Sequence, residues 1–471
     1  MASGYTRFAS GVLFPLHERL KGHSTLALRC RLEVSQWWSA ERIEAERVAR
    51  LRSFLIDIGL HVPHFRDLFA RTGFDPRAVQ AVADLRALPL HGKAEMRAAA
   101  ARLKADDAGP LARGTTGGSS GEPLIFGIGK GRTSHDVAAK WRATRWWGVD
   151  IGDPELVVWG SPIELGAQDR LRRARDRLLR SELLPAFEMS PERLDGYLAH
   201  IRRARPAMLF GYPSSLALIA RHAARRGVAL DGLGTRVVFV TSERLYDEQR
   251  AAIAAAFGCP VANGYGARDA GFIAHECPAG SLHLSAEDIV VETLRPDGSA
   301  CAEGEAGEIV VTHLGTRDHP FVRYRTGDVG AVSAFVGGNR CACGRGLPVL
   351  SQLDGRSSDF VVAADGTVMH GLALIYTLRD LAGVERFRIE QLSLAETEVR
   401  IVPGAGFDAA GAEARIRRDF QARLGKAVQV RVQVVEAIAP EPSGKFRHVL
   451  SRVALPTLAP TAVQTAGKPP G

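Results

Sequence analysis

One stretch of small and hydroxyl-bearing residues, TGGSSGEP at 116–123, has the composition of a phosphate-binding loop. Its small side chains leave backbone N–H groups open, and three hydroxyls add donors, which is what a chain of anionic phosphates requires. The spacing does not match the Gly-Lys-Ser/Thr loop of P-loop nucleotide hydrolases, so that class is disfavoured. Taken alone, the stretch also fits a flexible linker.

Four metal-binding side chains come in two close pairs, Cys277 with His283 and Cys341 with Cys343. If two hairpins of one β-rich region bring the pairs together, three sulfurs and one imidazole form the ligand set of a closed, structural zinc site. The C-x-C spacing is tighter than the usual C-x2-C, so free thiols beside a half-buried histidine stay an alternative. Six cysteines in 471 residues are too few for a disulfide-based fold.

The elements that must position these residues follow from the apolar pattern. Residues 35–105 show apolar side chains at three-to-four spacing, with Ser39 as an N-cap, and predict a helical lead-in over about 1–110. From 155 to 265 short β-like and helical runs alternate, which predicts a parallel α/β sheet. Hairpins are expected over 282–332, with a turn at Asp297-Gly298.

After Gly355 the pattern changes to a small α+β unit, so we predict a large α/β domain over residues 1–355 and a small domain over 356–453. The tail 454–471 is rich in Pro, Thr and Ala and is predicted to be disordered. The histidines at 313, 319 and 370 have no partner that the sequence identifies and are expected to be structural.

Composition and charge exclude several classes of protein. The net charge is +9, but only eight of the 61 basic residues are lysine and the arginines are interleaved with acids, so nucleic acid is not an expected partner. No apolar run is long enough to span a bilayer, and the N-terminal apolar patch is interrupted by Pro15, His17 and Glu18. We therefore expect a cytoplasmic protein with no membrane partner.

Five motifs occur in a fixed order: the 116–123 loop, YGARD at 265–269, YRTGD at 324–328, GRSSD at 355–359 and PSGKFR at 442–447. Together they resemble the core motifs of the adenylate-forming superfamily of acyl-CoA synthetases, amino-acid adenylation domains and luciferases. Further stretches resemble its branch of phenylacetate-CoA ligases and CapK-like proteins, namely WS at 38–39, HVPHFR at 61–66, LPLHGK at 88–93, GYPS at 211–214 and CACGR at 341–345. The resemblance covers about residues 31–453.

The resemblance implies catalytic roles for three residues. Lys445 matches the cation that suppresses repulsion between two anions at the α-phosphate of ATP in the transition state. Asp269 stands where the family usually has Glu and is expected to hold Mg²⁺. Arg356 is expected to face the ribose or the phosphates, and Asp328 resembles the carboxylate that accepts both ribose hydroxyls. The adenine is expected to stack on the ring of Tyr265.

The implied nucleotide-binding set comprises Thr116, Gly118, Ser119, Ser120, Gly121, Ser242, Glu243, Arg244, Gly264, Tyr265, Gly266, Asp328 and Arg356. The acid pocket is expected to include Tyr212, Pro213, Ser214 and Asn263. Two positions depart from the wider superfamily: Arg268 replaces a Ser/Thr, and Ser358 stands at the hinge where an acidic pivot is common. The second half-reaction is accordingly less firmly implied than the first.

The implied function is ATP-dependent conversion of a carboxylic acid, by analogy aryl or arylacetic, to an acyl-adenylate, followed by transfer to coenzyme A. Three alternatives remain open. The acceptor could be an amine or a carrier-protein phosphopantetheine; AMP itself could be left on an acceptor; or the chain could be a catalytically silent assembly protein. The resemblance also implies Mg²⁺ and a possible homodimer.

Overall fold

The computed structural model describes residues 3–116, 124–159, 170–186, 189, 191–333, 341–356, 360–365, 368–439 and 446–453. Contacts divide the chain into two compact units. The first contains residues 1–292, 303–355 and 439–447, and the second contains 293–302, 356–438 and 448–471. Along the chain, the main boundary between the two units falls between Gly355 and Arg356. Each unit also includes a short segment from elsewhere in the chain.

The helices of the first unit begin in the lead-in and then alternate with strands. They are α1 (Gly4–Phe8), which continues through a π turn (Ala9–Leu13) into α2 (Phe14–Leu20), α3 (Thr25–Ser35), α4 (Ala40–His61), α5 (Pro63–Thr72), α6 (Lys93–Ala98), α7 (Lys130–Trp146), α8 (Arg170–Leu178), α9 (Pro191–Ala204), α10 (Pro213–Arg226) and α11 (Asp247–Phe257). Short 3-10 turns lie at Pro76–Ala78, Val82–Ala87, Ala100–Arg102 and Asp231–Leu233.

The predicted helical lead-in is confirmed, with one difference in its first part. Ser39 caps α4 as predicted, because its hydroxyl accepts a hydrogen bond from the N–H of Arg42. Trp37 and Trp38 belong to the turn between α3 and α4 instead of to a helix. The guanidinium of Arg345 lies 4.8 Å from the Trp37 ring centroid, so the turn presents this ring to the cysteine loop at 341–345.

One eleven-stranded sheet forms the centre of the first unit, in the order β10-β11-β12-β13-β9-β8-β7-β6-β5-β3-β4. Its strands are β3 (Glu155–Trp159), β4 (Ser181–Pro185), β5 (Met208–Gly211), β6 (Val237–Thr241), β7 (Val261–Ala267), β8 (Gly271–Glu276), β9 (Leu282–Leu284), β10 (Ile289–Leu294), β11 (Gly307–His313), β12 (Tyr324–Ser333) and β13 (Val349–Arg356). Strands β1 (Ala112–Thr115) and β2 (Ile125–Ile128) form a separate antiparallel hairpin.

The sheet has a parallel half and an antiparallel half. Strands β3 to β7 pair in parallel, as the alternating pattern predicts, and helices α9, α10 and α11 connect them. Strand β7 then pairs antiparallel with β8, and β8 with β9. The predicted α/β class with a β-rich subdomain is therefore confirmed.

The lead-in packs against the antiparallel half around β12. Leu51, Phe54, Phe65 and Phe69 from α4 and α5 share one buried core with Tyr324. A backbone bridge reinforces this packing: the N–H of His91 donates to Arg323 O and the N–H of Arg325 donates to His91 O. His91 of the LPLHGK stretch thus forms an isolated parallel β-bridge with Tyr324, the first residue of the YRTGD motif.

The second unit is a small α+β domain. Its four-stranded sheet has the order β18-β17-β16-β19, with β16 (Val384–Ser393), β17 (Glu396–Pro403), β18 (Gln429–Val434) and β19 (Val449–Ser451). A two-stranded sheet is formed by β14 (Phe360–Val362) and β15 (Val368–His370). Helices α12 (Leu372–Arg379) and α13 (Ala409–Leu424) complete the unit, as the α+β prediction requires.

None of the helices in the described part of the chain is both long and apolar enough to cross a membrane.

Candidate active site

The carboxyl edge of the parallel strands brings together most of the described residues predicted to bind nucleotide and acid. The register places Val158, Gly211, Val240 and Asn263 in one row across β3, β5, β6 and β7. The residues that follow each of them include Trp159, the Tyr212–Ser214 segment, the Ser242–Arg244 segment and the Gly264–Gly266 segment. The carboxyl edge of a parallel sheet is where α/β folds bind ligands.

Two buried tyrosine–aspartate hydrogen bonds tie the YGARD and YRTGD motifs together. The hydroxyl of Tyr265 donates to Asp328 Oδ2 at 2.8 Å. The hydroxyl of Tyr324 donates to Asp269 Oδ2 at 2.5 Å. Each motif thus supplies the tyrosine that orients the carboxylate of the other, although β7 and β12 are not neighbours in the sheet. Such buried hydrogen bonds to a charged group fix its orientation.

The backbone around Asp328 and Tyr324 is held in unusual conformations. Gly327 has a φ of 75°, in the left-handed region that favours glycine. Arg323 has a φ of 46° without being glycine, and its guanidinium is buried against Glu292 at 3.0 Å and Leu88 O at 2.6 Å. A strained residue held by such partners marks a position where geometry matters to function.

The main chain at Asp269 is held from behind by helix α7. Buried Arg132 donates to the carbonyl oxygens of Asp269 at 3.0 Å and Arg268 at 3.1 Å, and to Asp136 Oδ2 at 2.8 Å. The N–H of Ala270 donates to Asp269 Oδ1 at 3.1 Å. Both carboxylate oxygens of Asp269 therefore have protein donors, and one lone pair on each is left for a further partner.

The Ser242–Arg244 segment has a strained first residue and an acid that holds two chain segments. Ser242 has a φ of 73°, outside the region that serine normally adopts. The carboxylate of Glu243 accepts the N–H of Ser214 at 3.1 Å and the N–H of Phe446 at 2.8 Å. Phe446 directly follows Lys445 in the chain. Glu243 therefore links the start of α10 to the PSGKFR motif.

Arg244 has a partner that the sequence does not predict. Its Nη1 donates to Asp354 O at 2.6 Å, beside the end of the first long segment of the chain. This guanidinium therefore supports the residues that precede Gly355, in addition to lying in the segment predicted to contact adenine.

Aromatic rings line the part of the carboxyl edge predicted to hold the acid. The ring of Tyr212 is buried and stacks on Trp159 at 4.3 Å with an interplanar angle of 22°. The ring of Phe210 stacks on that of Phe239, with centroids 5.8 Å apart. A Cβ added to Gly264 would lie 2.8 Å from the Phe239 ring, so this position needs glycine. Asn263 donates its N–H to Glu276 Oε2 at 2.7 Å.

The stretch predicted to bind phosphates, residues 116–123, is described only at its first residue, Thr116. Thr116 pairs with Leu124, since Thr116 N–H donates to Leu124 O at 3.0 Å and Leu124 N–H donates to Thr116 Oγ1 at 2.9 Å. This pairing extends the β1–β2 hairpin by one residue on each strand. Gly118, Ser119, Ser120 and Gly121 lie outside the described residues, as do Lys445 and Ser358, and nothing is described of the Arg356 side chain.

The two pairs of predicted zinc ligands lie together. The potential ligand atoms of Cys277, His283, Cys341 and Cys343 all lie within 4.8 Å of one another. Cys277 Sγ is 3.6 Å from Cys341 Sγ, and Cys343 Sγ is 3.2 Å from His283 Nε2. Tetrahedral zinc with Zn–S bonds of about 2.3 Å requires edges of about 3.7 Å between sulfurs. The donor set and the spacing both fit a closed zinc site.

The imidazole of this cluster is prepared to act as a ligand. His283 Nδ1 lies 3.1 Å from Leu347 O, and because a carbonyl only accepts, Nδ1 carries the proton and Nε2 keeps its lone pair. Burial lowers the pKa of His283 to about 4, so the ring is neutral near pH 7. Cys277 follows β8, His283 lies in β9, and the cysteine loop precedes β13, which pairs with β9.

The cysteine loop is also anchored to the lead-in. Arg345 donates to Gln36 Oε1 at 3.1 Å, and its guanidinium lies 4.3 Å from the Trp146 ring centroid. Gly346 approaches so closely that an added Cβ would lie 1.9 Å from Trp38 O. A metal bound here would therefore fix a junction between the lead-in and the sheet.

A second group of potential ligand atoms, on His135, Asp136 and His313, does not have the right protonation for a metal. The N–H of Gly315 donates to His313 Nδ1 at 3.1 Å, so the proton of the neutral ring sits on Nε2, the atom that faces the group. Burial lowers the pKa of His313 to about 3 and keeps the ring neutral. His313 instead packs edge-on against His135, with ring centroids 4.7 Å apart, which supplies the partner that sequence reasoning does not identify.

Sequence reasoning also misses two residues that position Asp269. Tyr324 belongs to the YRTGD motif, but the motif alone assigns it no role. The sequence does contain a signal, since a tyrosine precedes the aspartate by four residues in both YGARD and YRTGD. Arg132 has no sequence signal for this role, because the carbonyl oxygens of Arg268 and Asp269 become close to it only when α7 packs behind the β7–β8 turn.

Comparisons with known proteins agree with this architecture. Residues 361–452 match the model of the CapK C-terminal domain. The chain is 22% identical to protein CapK of Staphylococcus aureus over 382 residues, covering 79% of this chain and 81% of CapK. It is 24% identical to phenylacetate-coenzyme A ligase of Thermus thermophilus over 331 residues, covering 68% and 72% of the two chains.

Among solved structures, 2-hydroxyisobutyryl-CoA ligase with a bound acyl-AMP aligns with a TM-score of 0.70 at 20% identity, covering 88% of this chain and 91% of the ligase. The fold is therefore that of an acyl-CoA ligase. The sequence relatives and the similar structure agree with the resemblance to the adenylate-forming superfamily that the motifs indicate. The sequence relatives are CapK and phenylacetate-CoA ligases, which is the branch that the further sequence stretches resemble.

Proposed function

We propose that the protein is an AMP-forming acid–CoA ligase. In the first step, a carboxylate oxygen of the acid attacks the α-phosphorus of ATP, and pyrophosphate leaves. In the second step, the thiolate of coenzyme A attacks the acyl carbonyl, and AMP leaves. The observation that carries this proposal is the reciprocal pair of hydrogen bonds that places Asp328 and Asp269 on one framework.

The residues of the site have separate proposed roles. Asp328, oriented by Tyr265, accepts the ribose hydroxyls. Asp269 holds magnesium, which neutralises phosphate charge when bound. Its anchored carboxylate supports binding through an intervening water, because aspartate is one methylene shorter than the usual glutamate. Lys445 stabilises the charge that develops at the α-phosphate, and Arg356 faces the ribose or the phosphates.

Two further groups complete the proposed site. The 116–121 loop with Thr116, Gly118, Ser119, Ser120 and Gly121 holds the phosphates, and the Ser242–Arg244 and Gly264–Gly266 segments hold adenine. The acid lies beside Tyr212, Pro213, Ser214 and Asn263. We propose an aryl or arylacetic acid, which is supported by the stacked Trp159–Tyr212 pair and by the similarity to phenylacetate-CoA ligases.

The experiment that tests this function measures pyrophosphate, AMP and acyl-CoA with MgATP, coenzyme A and pairs of acids matched in size, such as phenylacetate and cyclohexylacetate. We expect all three products to form in equal amounts and to depend on the aryl acid. Release of pyrophosphate without formation of a thioester would indicate that the acyl acceptor is an amine or a carrier protein instead of coenzyme A. No pyrophosphate with any acid would contradict the proposal.

Glu243 offers a test of how the site is held together. The two carboxylate oxygens of Glu243 accept the N–H groups of Ser214 and Phe446. Glutamine has only one acceptor oxygen, so in Glu243→Gln one of these N–H groups faces an amide NH₂, which cannot accept it. An unpaired donor costs about 1–3 kcal/mol where it is buried, and these two N–H groups are part-buried, so we expect pyrophosphate release to slow by about tenfold. The matched control is Glu303→Gln, an exposed position, which should leave the rate unchanged. An equal rate in both variants would show that this link is dispensable.

We also propose that Cys277, His283, Cys341 and Cys343 bind one structural zinc ion. The four donors form a complete tetrahedral set, so no position remains for a substrate. The ion would hold the cysteine loop to the β8–β9 hairpin.

The zinc proposal predicts a change in both metal content and stability. The purified protein should contain about one equivalent of zinc, and Cys343→Ser should lower the content to below about a tenth and the melting temperature by about 5–10 °C. Cys30→Ser, which removes an exposed cysteine, is the control and should change neither quantity. If Cys343→Ser leaves the melting temperature unchanged in a protein that holds no zinc, the site does not exist.

A further inference from the structure

The helix at the N-terminal end of the described chain exposes a continuous apolar stripe. Tyr5, Phe8, Val12, Leu16 and Leu20 recur at three-to-four spacing along α1, the π turn and α2, and their exposed fractions range from 39% to 80%. Isolated exposed apolar side chains are common, but a continuous row marks an interaction surface.

The opposite face of this helix is fixed to the body of the first unit. Thr6 donates to Asp153 Oδ1 at 2.8 Å, and the Phe14 ring packs edge-on against Trp141 with centroids 5.1 Å apart. Ala9 is fully buried beside Gly152, where an added Cβ would lie 2.4 Å from the Ala9 side chain. The stripe is therefore presented on a rigid support.

Helix α8 lies beside the stripe and extends it. The Tyr5 hydroxyl donates to Leu178 O at 2.7 Å, and the Arg180 guanidinium lies 5.6 Å from the Tyr5 ring centroid. Leu178 is itself 55% exposed, so it adds one more apolar side chain to the same surface.

In the two described segments that form this surface, the exposed charges are basic. In the described segments 3–21 and 174–180, the exposed charged residues are Arg7, Arg19, Lys21, Arg177 and Arg180. Neither acid of these segments is an exposed, unpaired charge. Glu18 is buried and accepts a hydrogen bond from Thr25, and Asp176 forms an ion pair with Arg175. An apolar stripe within a basic rim is the pattern of helices that lie in the interface of an anionic bilayer.

We propose that this surface, which we call the N-terminal stripe, docks the protein onto anionic lipid membranes. The apolar side chains enter the headgroup boundary and the basic rim faces the lipid phosphates, with the helix lying along the surface. This occupant is chosen over a second copy of the chain because two basic rims would repel each other. The sequence gives no expectation of a membrane partner because it contains no spanning segment, and which side of a short helix is exposed depends on its packing in the fold.

The test is sedimentation of the full chain with vesicles of phosphatidylcholine, with and without about one third phosphatidylglycerol. We expect binding to rise by at least about fivefold with the anionic lipid and to weaken in about 0.5 M salt, because the charges are screened. Phe8→Glu combined with Leu16→Glu should abolish binding. The matched control, Leu60→Glu with Leu394→Glu, changes two comparably exposed leucines elsewhere and should bind like the parent.

Three outcomes would overturn the proposal. One is the absence of binding to either vesicle, and another is equal binding by the stripe variant and the control. The third is concentration-dependent self-association without vesicle binding, lost in the stripe variant, which would make the surface a contact between copies. Melting temperatures of both variants check that each is folded, and exposed positions should tolerate the changes.

Discussion

Replacing Lys445 by alanine is expected to slow acid-dependent pyrophosphate release by about a hundred- to a thousandfold. In the proposed reaction two anions meet at the α-phosphate, and a cation positioned there acts on charge that develops only in the transition state. The loss should therefore appear mainly in kcat, with a smaller change in the KM for ATP.

The matched control for this change is Lys426→Ala, since Lys426 is an exposed lysine of the second unit. It removes the same charge from the surface and should leave the rate unchanged. Lys445→Arg keeps the positive charge with a different shape and should recover only part of the rate. If Lys445→Ala releases pyrophosphate at the rate of the parent, Lys445 does not stabilise the transition state of the first step.

Replacing Asp328 by alanine is expected to raise the KM for ATP by about a hundredfold. The proposed contacts are two hydrogen bonds from ribose hydroxyls to a carboxylate, and hydrogen bonds to charged groups contribute about 1.5–3 kcal/mol each. Tyr265→Phe removes only the hydroxyl that orients this carboxylate, so its effect should be about tenfold or less. The measurement is the dependence of initial rate on ATP concentration at saturating acid.

Two further variants sharpen the Asp328 result. Asp297→Ala removes an exposed acid from a turn and should leave the KM for ATP unchanged. Tyr324→Phe removes the hydroxyl bound to Asp269, so it should raise the magnesium requirement more than the KM for ATP. If Asp328→Ala binds ATP as tightly as the parent, the ribose contact lies elsewhere.

The fold was predictable because its largest elements have strong local patterns. The alternation of β-like and helical runs from 155 to 265 corresponds to strands β3 to β7, whose parallel pairing the structure confirms. The position of Trp37 and Trp38 was not predictable from spacing, because Trp38 packs on the same buried core as Ile43 of α4 although it lies in the turn before that helix. Apolar periodicity does not distinguish a helix from a turn packed on the same core.

The segments of the candidate site could be predicted as motifs, but the contacts between them could not. The carboxyl edge collects segments that are far apart in the chain, and the sequence places Tyr265 and Asp328 in separate motifs without indicating that they touch. The link from Glu243 to Phe446 is similarly non-local, since the two residues are 203 positions apart in the chain. The cluster of proposed zinc ligands could be predicted because cysteine and histidine carry a chemical signal that does not depend on packing.

The most direct test of the account is exchange of labelled pyrophosphate into ATP without coenzyme A. Formation of an acyl-adenylate is reversible, so the label should enter ATP only when magnesium and a suitable acid are both present. We predict acid-dependent exchange in the parent protein and in Lys426→Ala, and a loss of about a hundredfold or more in Lys445→Ala. Exchange that needs no acid, or no exchange with any acid of the panel, would contradict carboxylate activation as the function of this site.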